Sequence, residues 1–171
     1  MRRLIVSFVV LAALAAPAAV LAQAIATGDG SLVVQRGEAP SGIPVVMLKI
    51  TGSVIGHIDY GRIVIDAGAS NAVPQVIGAG RPGDFLSAKS DTAQVWPASG
   101  KTDDITFRAV GGTFTVLVYG SGVSLVAAGS GSVRLAGVPD TPRGDGVYSL
   151  NDEDFTSLPG IQTGKLLIGD G

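Results

Sequence analysis

The chain has few side chains that could carry out chemistry, and they do not form a familiar catalytic motif. His57 is the only histidine, and the chain contains no cysteine. A serine–histidine–aspartate site would have to use His57, beside Asp59, but no serine lies in the G-x-S-x-G pattern of a nucleophile elbow. A zinc site built on histidine and cysteine lacks further ligands. We therefore predict no catalytic residue and no metal ligand, and we interpret His57 as a strand residue that is packed or faces solvent.

Residues 78–83 match the G-x-G-x-x-G pattern of dinucleotide-binding proteins, and Asp103 lies twenty residues further on. That chemistry also requires a buried strand before the motif and a helix N-terminus after it, which receives the pyrophosphate. Pro74 interrupts the segment before the motif, and residues 84–91 are too short and too polar for the helix. We interpret the motif as a glycine-rich turn and predict no cofactor.

Acidic residues follow the last clear strand pattern, at Asp140, Asp145, Asp152, Glu153 and Asp154. Asn151 is a preferred helix N-cap, acids suit the positive end of a helix, and Pro159-Gly160 would end it. The pattern predicts one short helix near the C-terminus, from Asp152 to Leu158. Calcium binding by the acidic 140–154 segment stays open, although its spacing is not that of an EF-hand. A pair of carboxylates in a hydrolase also stays open.

Trp96 is the one weak candidate for ligand binding. Sugar-binding faces use exposed aromatic rings as platforms, and this single tryptophan precedes Pro97 in a segment of irregular pattern. The alternative is a tryptophan that fills the edge of a β-sandwich.

Short apolar segments separated by glycine turns dominate the rest of the chain. In 113–118 Phe114, Val116 and Val118 fall on one face, as in a half-buried strand. Strand starts at Phe114, Val123 and Val133 are nine and ten residues apart, which is typical of antiparallel β proteins. We predict an all-β fold, a single antiparallel β-sandwich or barrel, with a β-solenoid as the alternative.

The first 24 residues have the three parts of a secretory signal peptide. Arg2 and Arg3 precede an apolar run that closes on Ala22-Gln23-Ala24. We predict a signal peptide at 1–24 and a single β-rich domain at 25–171. An uncleaved membrane anchor is the alternative, since the run approaches the roughly 18 residues that span a bilayer.

Composition narrows the partners of this domain. Twelve basic residues less the two in the signal peptide leave ten, against fourteen acidic residues, so the domain carries a net charge of −4 and has no basic footprint for nucleic acid. Contact with a membrane is expected only through an uncleaved signal segment. Within the domain, residues 67–104 lose the strand pattern and contain three prolines. We interpret them as an irregular excursion that carries one edge strand.

Residues 107–125 follow the pattern F-R-x-x-G-G-x-F-x-V-x-V-x-G-x-G-V-x-L, and 129–137 follow G-x-G-x-V-x-L-x-G. This block resembles small exported bacterial proteins of unknown function, and 53–66 is a weaker match. The resemblance implies a compact β domain in the cell envelope or the medium, and it brings no activity and no catalytic residue.

Together these observations predict a secreted, periplasmic or envelope-associated module that is not an enzyme. It would bind an unknown protein or glycan partner, through a sheet edge or the 67–104 excursion, or serve a structural role. The alternatives are a glycan-binding domain that uses Trp96, and a hydrolase that uses carboxylates or His57 with a serine.

Overall fold

The computed structural model describes residues 29–68, 70, 72–78, 83–84, 93–97, 104–138 and 146–169, with the backbone alone at 83–84, 93 and 95–97. The predicted signal peptide, residues 1–24, lies outside this part of the chain. Across the described residues every regular element is a β-strand, and no helix long and apolar enough to cross a membrane is found among them. The strands are β1 (Gly30–Gly37), β2 (Val46–Ile58), β3 (Tyr60–Asp66), β4 (Gln75–Ile77), β5 (Gly83–Asp84), β6 (Ala93–Pro97), β7 (Ile105–Ser121), β8 (Val123–Leu135), β9 (Val147–Leu150), β10 (Thr156–Ser157) and β11 (Leu166–Ile168).

All these strands belong to one open antiparallel sheet. Its order is β10-β9-β1-β8-β2-β7-β3-β6-β5, with β11 added on β8 and β4 added on β7. The predicted all-β, antiparallel class is confirmed. The β-solenoid alternative is wrong. Each repeat of a solenoid contacts only the neighbouring repeats, whereas β1, near residue 30, pairs with β8, near residue 125.

The long strands β2, β7 and β8 form the centre of the sheet. Strand β7 pairs with β4 through residues 106–108 and with β3 through 115–121. Strand β8 likewise pairs with β1 through 123–129 and with β11 through 131–133. Strands β7 and β8 thus change their outer neighbour between their two halves, whereas β2 pairs with both of them along nearly its whole length. The buried residues of both halves belong to one apolar cluster.

Two facing glycines with positive φ interrupt the regular backbone of the long strands β2 and β8. Gly52 of β2 lies directly opposite Gly129 of β8, and both have positive φ, 151° and 141°. A Cβ added to Gly52 would lie 2.2 Å from the backbone oxygen of Ala128. Only glycine therefore fits where these two backbones approach each other. This explains why glycines are found inside the long strands and not in the turns alone.

A β-bulge interrupts the pairing of β7 with β2. Gly52 pairs with Gly112, but the next residue, Ser53, pairs with Val110. Gly111 is the extra residue, and its φ of +70° is the left-handed conformation that such bulges require.

The core lies inside the folded sheet and is built from every second residue of the long strands. The predicted apolar face of Phe114, Val116 and Val118 is fully buried. The same cluster takes in residues of β1, β2, β3, β8 and β11, including Leu32, Leu48, Ile50, Ile58, Ile63, Leu125, Val133 and Ile168. Since no helix covers the sheet in the described part, burial of this face by the sheet itself supplies the main hydrophobic stabilisation.

The predicted helix from Asp152 to Leu158 is wrong. Asn151 and Asp152 have φ of 51° and 61°, and the Glu153 N–H donates to the Leu150 carbonyl at 3.0 Å. Two successive residues with positive φ make the tight turn of a hairpin, and this turn joins β9 to β10. Asn and Asp tolerate the left-handed conformation, so the residues that resembled a helix cap form a turn.

The predicted excursion at 67–104 contains more structure than one edge strand. The structure places β4, β5 and β6 in it, with β6 paired to β3 and β5 at the end of the sheet. Pro97 is the last residue of β6 and lies opposite Arg62. A proline at a strand end is compatible with pairing because no further ladder bond is needed from its nitrogen.

Candidate functional site

Two single-residue connections lie side by side at one corner of the sheet. Asp59 joins β2 to β3, and Gly122 joins β7 to β8. Beside them Tyr60 and Ser121 are partners in the β3–β7 ladder. A Cβ added to Gly122 would lie 2.1 Å from Oδ2 of Asp59, so the carboxylate of the first connection rests against the backbone of the second. We call this part of the molecule the corner.

The corner brings the only histidine together with two acids. Nε2 of His57 lies 2.9 Å from Oδ1 of Asp59 and 3.9 Å from Oδ1 of Asp104, the residue before β7. The imidazole is 40% exposed and the two carboxylates are 65% and 74% exposed. The imidazole forms a hydrogen bond with Asp59. Ser124 of β8 lies opposite His57 in the ladder, but its hydroxyl accepts a hydrogen bond from the Arg36 N–H at 3.3 Å. This arrangement offers one imidazole nitrogen and two carboxylate oxygens, but not a serine nucleophile.

On the other side of Tyr60, a groove of about 580 Å³ opens between the β1–β2 connection and the β3–β7 pair. Residues 38–43 form one wall, and residues 60–62 and 119–121 form the other. The connection is held in place by a hydrogen bond from the Ala39 N–H to the Gly120 carbonyl at 3.4 Å. We call this cavity the groove.

The groove has both aromatic and polar lining. Tyr60 is 63% exposed at its rim, and the Arg62 guanidinium lies 4.3 Å from the centre of the Tyr119 ring. Ile43 adds an exposed apolar side chain, and the half-buried Glu38 adds a carboxylate. Tyr119 is half-buried and packs against the guanidinium, so Tyr60 is the more exposed of the two rings.

Trp96, the predicted ligand-binding residue, lies in β6 opposite Ile63 of β3. Its backbone is described, but its side chain lies outside what the structure describes. Among the described side chains, the structure brings Tyr60 to the groove.

The G-x-G-x-x-G segment lies between two short strands. Gly78 follows β4 and Gly83 begins β5, and residues 79–82 lie outside the described part, as does Asp103. Both strands pair antiparallel with their neighbours. A dinucleotide site of this type needs a parallel strand–helix–strand unit, so the described geometry favours the interpretation as a turn.

In the acidic 140–154 segment, Asp152 is bound to another part of the protein. Ser31 Oγ donates to its carboxylate at 2.7 Å, and the Asp152 N–H donates to the same hydroxyl at 3.2 Å. These contacts tie the β9–β10 turn to β1. Asp140 and Asp145 lie outside the described residues, so calcium binding here stays a hypothesis.

Sequence reasoning missed Tyr60, the groove and the contribution of Asp104. A sequence signal exists only for Tyr60, since Asp59-Tyr60-Gly61 interrupts two apolar runs and reads as a turn. Asp104 is far from His57 along the chain, and only the pairing of β2 with β7 brings them together.

No family model, curated protein or solved structure matches this chain. The resemblance of residues 107–137 to small exported bacterial proteins therefore stays a prediction.

Proposed function

We propose that the chain is an exported, non-enzymatic binding module that takes a saccharide in the groove. The observation that carries this proposal is the exposed ring of Tyr60 at the rim of a cavity of about 580 Å³. Cavities of roughly 300–1,000 Å³ with a few convergent polar groups are the usual size for small-molecule sites.

The mixed lining favours a saccharide over a purely apolar ligand. A sugar presents C–H groups on one face and hydroxyls around its rim, so it pairs an aromatic platform with hydrogen-bonding groups. Tyr60 supplies the platform. Glu38, Ser41 and Ser121 supply carboxylate and hydroxyl oxygens along the groove.

The groove is also a better site than the ends of the sheet. Within the described residues, the end strands β10 and β5 are each two residues long. Adding a partner strand depends on a row of unpaired backbone groups, and two residues supply few of them. This favours a pocket ligand over β-strand addition.

Export follows from the predicted signal peptide at 1–24. The first strand begins at Gly30, so cleavage after Ala24 would leave the described sheet complete. An exported protein would encounter extracellular saccharides in the medium, the periplasm or the cell envelope.

The experiment is a screen of the purified chain on an array of oligosaccharides, followed by calorimetric titration with the best binder. We expect Tyr60→Ala to weaken binding by about tenfold or more, equivalent to about 1.4 kcal/mol, and Tyr60→Phe to retain it because the ring is kept. Phe155 is an exposed aromatic residue, 54% exposed, outside the groove. Phe155→Ala is therefore the matched control and should bind normally.

Several outcomes would overturn the proposal. Absence of binding to any saccharide would do so, and so would unchanged affinity in Tyr60→Ala. Loss of binding in Trp96→Phe with Tyr60→Ala unaffected would return the ligand site to Trp96.

A further inference from the structure

We propose that His57, Asp59 and Asp104 form a binding site for a divalent transition-metal ion, best represented by Zn²⁺. This site lies at the corner and does not depend on the groove or on its ligand. It departs from our sequence-based prediction of no metal ligand, in which a zinc site was judged to lack ligands because the chain has no cysteine and no second histidine.

The three donors come from separate segments and converge on one point. His57 lies near the end of β2, Asp59 lies in the connection to β3, and Asp104 precedes β7. Their ligand atoms all lie within 4.8 Å of one another.

The distances suit a first-row ion. With Zn–N and Zn–O bonds of about 2.1 Å, tetrahedral ligand atoms are about 3.4 Å apart. The two distances from His57 Nε2, 2.9 and 3.9 Å, lie on either side of that value. Small rotations of these exposed side chains would therefore bring all three atoms into a coordination sphere whose remaining positions go to water.

Glycines place the backbones that carry both acids. The Asp59 carboxylate rests against Gly122, where a side chain would collide with it. A Cβ on Gly78 would in turn lie 1.9 Å from the Asp104 carbonyl oxygen, so β4 ends directly against that residue. Because the backbone is fixed at both positions, little ordering is needed to assemble the ligands, and preorganisation favours binding.

The charges and donor types select the kind of ion. Two carboxylates face one imidazole, and the ion pairs of the described residues give neither acid a lysine or arginine partner. A dication would offset both negative charges. Calcium and magnesium prefer oxygen ligands alone, whereas an imidazole with carboxylates suits zinc and its neighbours. When the ion binds, Nε2 must present its lone pair, so the ring proton resides on Nδ1.

The test uses the purified chain without an added histidine tag, titrated with Zn²⁺. Because His57 is the only histidine, its imidazole ¹⁵N resonances are assigned without ambiguity. We expect one equivalent of Zn²⁺ to bind by calorimetry and to shift the Nε2 resonance, with the proton on Nδ1. His57→Gln and Asp104→Asn should each weaken binding by about tenfold or more, since loss of even an outer-shell partner typically costs 10–100-fold.

Glu153→Gln is the matched control, because it removes an exposed acid from the turn between β9 and β10. It should leave the affinity unchanged. Absence of a heat signal and of an imidazole shift would overturn the proposal. So would an unchanged affinity in Asp104→Asn, because it would mean that Asp104 is not a ligand and that the three-donor site does not exist. The Asp104 side chain is 74% exposed, so we expect Asp104→Asn to fold. A change in its affinity for Zn²⁺ would then report the loss of a ligand and not unfolding.

Discussion

The side-chain carbonyl of Asn151 accepts a hydrogen bond from the backbone N–H of Gly169 at 2.9 Å. Its amide nitrogen donates to the Leu167 carbonyl at 3.2 Å. A single side chain thus offers β11 the donor and the acceptor that a neighbouring strand would provide. Asn151, whose backbone has the left-handed conformation of the turn, therefore joins the β9–β10 hairpin to the β11 segment through two hydrogen bonds.

We predict that Asn151→Ala lowers the free energy of unfolding by about 2–3 kcal/mol. Each lost hydrogen bond contributes about 1 kcal/mol, and a left-handed alanine adds about 1 kcal/mol of strain. Asn151→Gly loses the bonds but tolerates the backbone, so its loss should be about 1–2 kcal/mol. Urea denaturation measures both values. If Asn151→Gly lowers the free energy of unfolding as much as Asn151→Ala does, backbone strain at residue 151 does not contribute and the prediction is wrong.

The contact between Gly122 and Asp59 gives a second prediction. Gly122→Ala should destabilise the protein by about 3 kcal/mol or more, because strain of about 1–2 kcal/mol adds to a collision. The new Cβ would lie 2.6 Å from Cβ of Asp59, which rotation of the carboxylate does not relieve.

Gly111→Ala is the matched control for that variant. Its φ of +70° is close to the 66° of Gly122, and its Cβ would meet nothing within 4 Å. Thermal and urea unfolding should show strain alone, about 1–2 kcal/mol. Equal losses in the two variants would contradict the proposed contact, and addition of Asp59→Gly to Gly122→Ala should recover part of the difference.

In the core, Gly56 and Phe107 should be energetically coupled. They are direct partners in the β2–β7 ladder, and a Cβ on Gly56 would lie 2.3 Å from Cζ of the Phe107 ring. The ring therefore fills the space above the glycine. We expect Gly56→Ala and Phe107→Leu each to lower the free energy of unfolding by about 1–3 kcal/mol.

The double variant of Gly56 and Phe107 should lose less than the sum of the two single variants, by about 1 kcal/mol or more. The methyl group would occupy volume that the ring vacates. A double-mutant cycle in urea measures this coupling. Strict additivity would mean that the ring moves away from the glycine without cost.

The predicted signal peptide gives a fourth prediction. Fractionation of the native host, followed by intact mass of the chain in each fraction, should find a chain that begins at Ile25. A full-length chain confined to the membrane fraction would instead support the uncleaved anchor.

Local sequence patterns predicted the strands better than the turns. The predicted strand start at Val133 is wrong, because the glycines before it lie inside β8. Alternation in 113–118 identified a strand with one buried face, because alternate residues of a strand point to opposite sides. Asn151 and the acids after it suit a left-handed turn as well as a helix N-terminus, so the local pattern that predicts the helix does not exclude the turn that forms. Pairing of the β9–β10 hairpin with the rest of the sheet favours the turn, and that pairing is not a local property.

By itself, the sequence determined the all-β antiparallel class of this protein and the buried face of Phe114, Val116 and Val118, since both follow from the alternation of apolar residues. The tertiary structure alone decided that Gly52 faces Gly129, that Tyr60 borders a groove and that Asp104 lies beside His57. These relationships join residues that are distant along the chain. They depend on strand order and register, which the shared apolar core fixes only when the whole sheet folds.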